Sequence, residues 1–210
     1  MVQVASFSEL PELQFKTAKC FTIWLAKNHA QSSGIWLRFA KKASGIASVS
    51  REEAVEAAIC FGWIDGQIRP GDHQTYLVRY GPRANRSIWS KLNREKTALL
   101  IEQGRMQPAG RLEIERAQAD GRWDAAYDPP STATVPEDLQ AALNADPHAK
   151  AFFATLDAAN RYAILFRLQT AKKAETRVRN LERFIAMLRE RRTIHPTRPS
   201  GSRRSTPATG

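Results

Sequence analysis

Cys60-Phe61-Gly62-Trp63-Ile64-Asp65-Gly66 sets one acid between two glycines and directly behind two large aromatics. How this run is read decides the fold. Upstream, Ser50 and Glu53 form a capping box, in which each side chain satisfies backbone donors at a helix start, and Val49 is placed to staple against Ala54. A helix therefore runs to about Phe61, with Val55, Ala58 and Ile59 inward, and Gly62 supplies the left-handed residue that stops it. Trp63 to Ile68 then reads as extended chain and Pro70-Gly71-Asp72-His73 as a turn. Tyr76, Val78 and Tyr80 alternate with Thr75, Leu77 and Arg79 on the way back, which makes a β-hairpin.

Working toward the N-terminus, Ile35, Leu37 and Phe39 alternate with Trp36, Arg38 and Ala40 as a strand does. A helix carrying Phe21, Trp24 and Leu25 precedes that strand, opened by Thr17 as N-cap and closed by the Gln-Ser-Ser-Gly turn. Leu13 and Phe15 form a short extended lead-in. Toward the C-terminus, Pro82 ends the hairpin and a basic loop follows. One helix through Leu99, Leu100 and Ile101 stops at Gly104; another opens at Pro108 and stops at Gly121.

The Pro-Pro-Ser-Thr composition beyond Asp128 is that of a linker. Past it the pattern is helical throughout, with helices opening at Pro136 and Pro147 and a final stripe of Val178, Leu181, Phe184, Ile185 and Leu188. The expectation is an α+β fold, a small mostly antiparallel sheet with covering helices over residues 1–124. A Pro-rich linker over 125–135, a helical module over 136–192 and a disordered basic tail over 193–210 complete it.

The formal net charge of +11 on 210 residues points to anionic partners. Cys20 and Cys60 both sit inside apolar patterns, which reads as reduced thiols. The start of the chain lacks the basic-then-apolar pattern of an export signal, and no apolar run approaches the roughly 20 residues of a membrane span. A soluble cytoplasmic protein without a transmembrane segment is expected.

The chemistry clusters around the opening run. Asp65 is placed to act as a base or to hold a ligand donor, or else to pair with Arg79 or Arg83 and hold the hairpin. Arg83, Ser87, Ser90 and Asn93, with Arg86 and Lys91, suit an anion cradle at a helix start, or a solvated loop with its N-cap. Trp63 and Trp89 offer stacking surfaces or core packing. Lys41 is a further cation candidate. Cys60 at a helix C-terminus is poorly placed for a nucleophile, and the dispersed histidines give no zinc spacing, so neither metal nor cofactor is expected. Lys172, Lys173, Arg177, Arg179, Arg183, Arg189, Arg191 and Arg192 make the last helices basic. That reads as a solvated face, or as a weak nonspecific grip on nucleic acid or anionic lipid.

Several of these runs resemble the YdeI/OmpD-associated family of small bacterial proteins, often labelled bacteriocin-protection proteins. The resemblance rests on Gly34-Ile35-Trp36-Leu37, the run from Cys60 to Gly66, Pro82-Arg83, and Ser87 to Asn93. Asp120-Gly121-Arg122-Trp123, Val135 to Leu139 and Ala171 to Arg177 extend it. It covers nearly all of the chain except the first dozen residues and the tail. It implies association with an outer-membrane porin and protection against bacteriocins or cationic peptides, and it brings no established catalytic mechanism. The expected function is a non-catalytic stress or resistance factor that binds an anionic small molecule or partner protein through the Asp65, Arg83 and Trp89 region. An enzyme acting on a small anionic substrate and a nucleic-acid-binding accessory protein are the alternatives.

Overall fold

The computed structural model describes residues 10–196, so the expected disordered tail lies, beyond Pro196, outside the described residues. The chain divides between Ala126 and Tyr127 into two compact units.

In the first unit the elements run β1 (Glu12–Gln14), α1 (Ala18–Asn28), β2 (Ile35–Ala40), α2 (Arg51–Cys60), β3 (Trp63–Pro70), β4 (Thr75–Pro82), α3 (Lys91–Glu102) and α4 (Pro108–Ala119). The local signals act as chemistry requires. Thr17 accepts from the Cys20 backbone, Ser50 and Glu53 close their capping box, and Gly62 takes φ +72° past the end of α2.

The four strands form one sheet in the order β1-β2-β4-β3. β4 pairs antiparallel with both β3 and β2, but β1 runs parallel to β2, with Leu13 opposite Leu37. The sheet is therefore mixed, not mostly antiparallel as the alternation suggested. The reason lies in the connection: α1 carries the chain back across the sheet between β1 and β2, and a helical crossover returns a strand in the same direction, whereas a tight turn reverses it.

Strand alternation sends Ile35, Leu37 and Phe39 of β2 and Val78 and Tyr80 of β4 to one face. There they bury with Phe21 and Leu25 of α1 and Ala54, Ala57 and Ala58 of α2. The alanines let α2 lie close to the sheet, and each fully buried large side chain contributes about 1.5–3 kcal/mol. On the opposite face Leu10, Trp36 and Leu77 form a smaller cluster, with the Arg69 guanidinium 4.2 Å from the Trp36 ring centre. Helix α4 reaches the end of α2 at Gly110, where a Cβ would stand 2.4 Å from the Cys60 carbonyl oxygen. Only glycine allows that approach.

The second unit is helical: α5 (Glu137–Ala145), α6 (Pro147–Thr155), α7 (Ala158–Gln169) and α8 (Ala174–Arg189). Leu139, Leu143, Phe153, Ile164, Leu168, Phe184 and Leu188 make its core. Asp146 caps α6 and pairs with Arg189 of α8, and Asp138 in the first turn of α5 accepts from Arg177 of α8, so two acids tie α8 to its neighbours. Residues 129–135 form a turn closed by the Thr132 and Ala133 amides on the Pro129 carbonyl, and Ala133 and Val135 pack on this core. Arg191 ends α8 with φ +54°, and the Arg191 and Arg192 amides return to the Leu188 and Met187 carbonyls. This is a left-handed helix stop built without glycine.

Candidate functional site

Asp65 stands opposite Tyr80 across the hairpin, on the face that α2 covers. The first residue of α2, Arg51, reaches down to it, with Nη2 to Oδ2 at 2.5 Å. Neither Arg79 nor Arg83, the partners expected from the sequence, fills this place. Arg79 neighbours Tyr80 on β4 and so points to the other sheet face, where the Gly66 backbone passes it; a Cβ there would lie 3.3 Å from Arg79 Nε. Arg83 lies beyond the end of β4.

Beneath the pair, Tyr80 is fully buried, with its hydroxyl sealed beside the Arg51 guanidinium. Burial pushes the phenol well above its ordinary range and the Asp65 charge pushes the same way, against the pull of Arg51. Tyr80 is thus a neutral phenol at physiological pH, with the partly exposed Arg51–Asp65 ion pair as its lid.

Arg83 is itself buried. Its backbone amide donates to the Gly62 carbonyl at 3.0 Å, its Nη1 reaches the Ile88 carbonyl at 3.4 Å, and its guanidinium lies 3.5 Å from the Trp89 ring centre. Trp89 is buried in turn and meets Trp123 edge-on at 4.9 Å. Trp63 is core, its indole N–H donating to the His29 carbonyl. Ser87 Oγ accepts from the Ala84 amide, and its carbonyl accepts from Arg122 Nη1 at 2.8 Å. Ser90 caps α3 by accepting from the Asn93 amide, and the Asn93 carbonyl accepts from Thr97. Lys41 sits at the other end of the hairpin, donating to the Asp72 and His73 carbonyls of the turn.

The structure brings Arg83, Ser87, Trp89, Ser90 and Asn93 into one neighbourhood, the loop leading into α3. It holds Asp65 with Arg51 and Tyr80, and it puts Lys41 elsewhere. Three arginines not singled out as site residues in the sequence organise these two places. Arg51 was hidden inside its capping box. Arg122, buried, joins Asp120 to the Ser87 carbonyl. Arg94 donates to the Trp123 carbonyl at 2.8 Å and lies 5.1 Å from that ring's centre. An Arg three residues into a capped helix, followed by a lone Trp after a Gly stop, was the available signal.

Along the first turns of α3, Lys91, Arg94, Glu95 and Ala98 line a concavity of about 430 Å³ with Trp123 as its wall. Two cations and an indole, with one acid beside them, can seat a flat or anionic group. Burial raises the Cys60 thiol above its ordinary range, which leaves it protonated and unreactive at neutral pH. Among the described residues no group of His, Cys, Asp and Glu side chains could hold a metal ion.

Residues 132–191 match the family model described as Bacteriocin-protection, YdeI or OmpD-Associated. The second unit carries a YdeI/OmpD-associated domain. Residues 13–113 match a different model, described as Domain of unknown function (DUF8412). The motifs quoted above from the first unit fall within that second match, except Asp120 to Trp123, which lies in neither, so the YdeI/OmpD-associated likeness is shown for the helical unit alone. No curated protein and no solved structure matches the chain. No helix among the described residues is long and apolar enough to cross a membrane.

Proposed function

We propose that this chain is a non-catalytic cytoplasmic factor in stress or in resistance to bacteriocins and cationic peptides, and that it binds an anionic or aromatic partner at the α3 concavity. The observation that carries the binding reading is the Lys91, Arg94 and Trp123 lining beside the capped start of α3. The unbonded N–H groups of the first turn add positive potential there. A guanidinium already anchored to the Trp123 carbonyl loses little freedom when a ligand arrives, which favours affinity. The resistance role rests on the match of residues 132–191 to the bacteriocin-protection, YdeI or OmpD-associated family.

Titration of the full chain with phenyl phosphate and with benzoate tests the site. Lys91→Glu is expected to weaken binding about tenfold or more without changing the melting temperature, because Lys91 is exposed on α3. Cells lacking the gene tested for survival against a bacteriocin, with and without the Lys91→Glu form, test the role. If that variant restores survival as wild type does, the α3 concavity is not the functional site.

A further inference from the structure

The YdeI/OmpD-associated unit carries a second place where side chains converge without a structural reason. Arg167 of α7, Arg183 of α8 and Arg192 just past α8 line a concavity of about 410 Å³, with Phe184, Met187 and Ile194 as its apolar part. The other paired arginines of α8 show what a structural guanidinium looks like here. Arg177 makes a two-point pair with Asp138, and Arg189 pairs with Asp146. Arg167 and Arg183 have no carboxylate partner among the described residues. Arg167 donates only back to the Ala163 carbonyl of its own helix at 2.8 Å, and Arg183 lies 5.0 Å from the Phe184 ring centre. Arg192 alone has an acid, Glu190. Three arginines line one hollow and a single acid is paired with them, which leaves net positive charge there, and an anion set among them can accept two-point hydrogen bonds.

Arg167 also lines a second hollow, of about 500 Å³, formed with Pro130, Ala158, Ala159, Tyr162, Ala163 and Phe166, with His195 as its one other polar side chain beside the Tyr162 hydroxyl. Three alanines on one helix leave the room. The Tyr162 hydroxyl is already given to the Asp128 carbonyl at 3.0 Å, so what Tyr162 offers this hollow is an apolar ring and no spare donor. A cationic hollow and an apolar hollow thus meet at one arginine.

We infer that this unit binds an amphiphilic anion, a carboxylate or phosphate head carried on an unbranched alkyl chain. The head sits among Arg167, Arg183 and Arg192, and the chain lies along Ala158, Ala159 and Phe166. Charge complementarity selects the head and burial of methylene groups, each contributing about 0.8 kcal/mol, selects the chain. The inference does not rest on the α3 concavity, which belongs to the other unit.

Calorimetric titration of the full chain with octanoate and octyl phosphate, below their micelle-forming concentrations, tests it. Both are expected to bind, whereas octanol, octylammonium and inorganic phosphate are expected to bind far more weakly, since each lacks one half of the recognised chemistry. Arg183→Ala, at an exposed position, is expected to weaken octanoate about tenfold. Ala159→Trp, also exposed, is expected to do the same by filling the apolar hollow, and Lys172→Ala, outside both hollows, is expected to change nothing. Equal binding of octanol would reduce the site to apolar adhesion, and equal binding of inorganic phosphate would reduce it to a head-group site; either result overturns the proposal. So would unchanged binding in both variants, or binding to phosphatidylglycerol vesicles with none to octanoate, which would mark a membrane-surface contact.

Discussion

The two units spend their side chains in opposite ways. In the first, the rare and chemically expressive residues are drawn inward: Trp63, Trp89 and Tyr80 are among the largest fully buried side chains, and even Arg83 is buried against an indole. In the second, the core is ordinary leucine, isoleucine and phenylalanine, and the expressive groups are arginines such as Arg167 and Arg183, left at a hollow with no carboxylate partner among the described residues. Density of unusual residues in the sequence thus marks where packing is demanding. Function is better sought where a cation stays unpaired although acids are available to its neighbours.

That contrast breaks first, and most visibly, at Trp89. If it is a packing residue, Trp89→Ala costs about 3–5 kcal/mol, read from the midpoint of denaturant unfolding. An unchanged midpoint would turn Trp89 back into a ligand platform. Gly110→Ala follows, at about 1–3 kcal/mol, because the new Cβ meets the Cys60 carbonyl and Met106 sulfur and the two helices must part.

Tyr80 gives a pH signature. Its folded pKa is raised above the unfolded value of about 10, so its contribution is whole below pH 10 and is lost as pH rises, because only the unfolded chain readily ionises. Tyr80→Phe should flatten the fall in stability between pH 10 and 12 by up to about 1.4 kcal/mol per pH unit. The part that remains would include Tyr162, whose phenol is also raised by burial. A curve unaltered by the substitution would mean that the hydroxyl is open to solvent.

Within the second unit the contrast is sharpened by comparing two arginines on one helix. Arg177→Ala loses a two-point pair that is about a third exposed and should cost about 0.5–1 kcal/mol, while Arg183→Ala should leave the melting curve where it was. Equal losses would assign Arg183 a structural role. Of similar size and opposite sign is Arg191→Gly, which relieves a left-handed non-glycine residue and should raise stability by about 0.5–1 kcal/mol, read from the melting curve.

Legibility in the sequence followed distance along the chain. Thr17, the Ser50 and Glu53 box, Gly62, Pro108 and Gly121 act on backbone groups within a few residues, and each was readable because its partner is adjacent. The Arg51 to Asp65 pair and the Arg122 to Ser87 bond join residues brought together only by packing, and no local pattern encodes them. Val178 shows a third limit. It belongs to the apolar stripe of α8 by spacing but is more than half exposed, because it lies roughly 70° from the middle of that stripe at 100° per residue. Ser87, Ser90 and Asn93 lie together in the loop leading into α3, and the hydrogen-bonding groups seen there serve the backbone that shapes it.

The sheet order has a consequence for how the protein is made. β2 is an interior strand, yet the partner on its second edge, β4, is encoded thirty-five to forty-five residues later. A nascent chain that has released β2 holds Ile35, Leu37 and Phe39 beside an open row of amides and carbonyls until the ribosome has supplied Thr75 to Tyr80. At about 5–20 residues per second that interval is on the order of seconds. During it β1 shields one edge and the other is a template for any neighbouring polypeptide. Synthesis slowed between codons 41 and 80 would lengthen this interval, and coaggregation of unfinished chains would be its product.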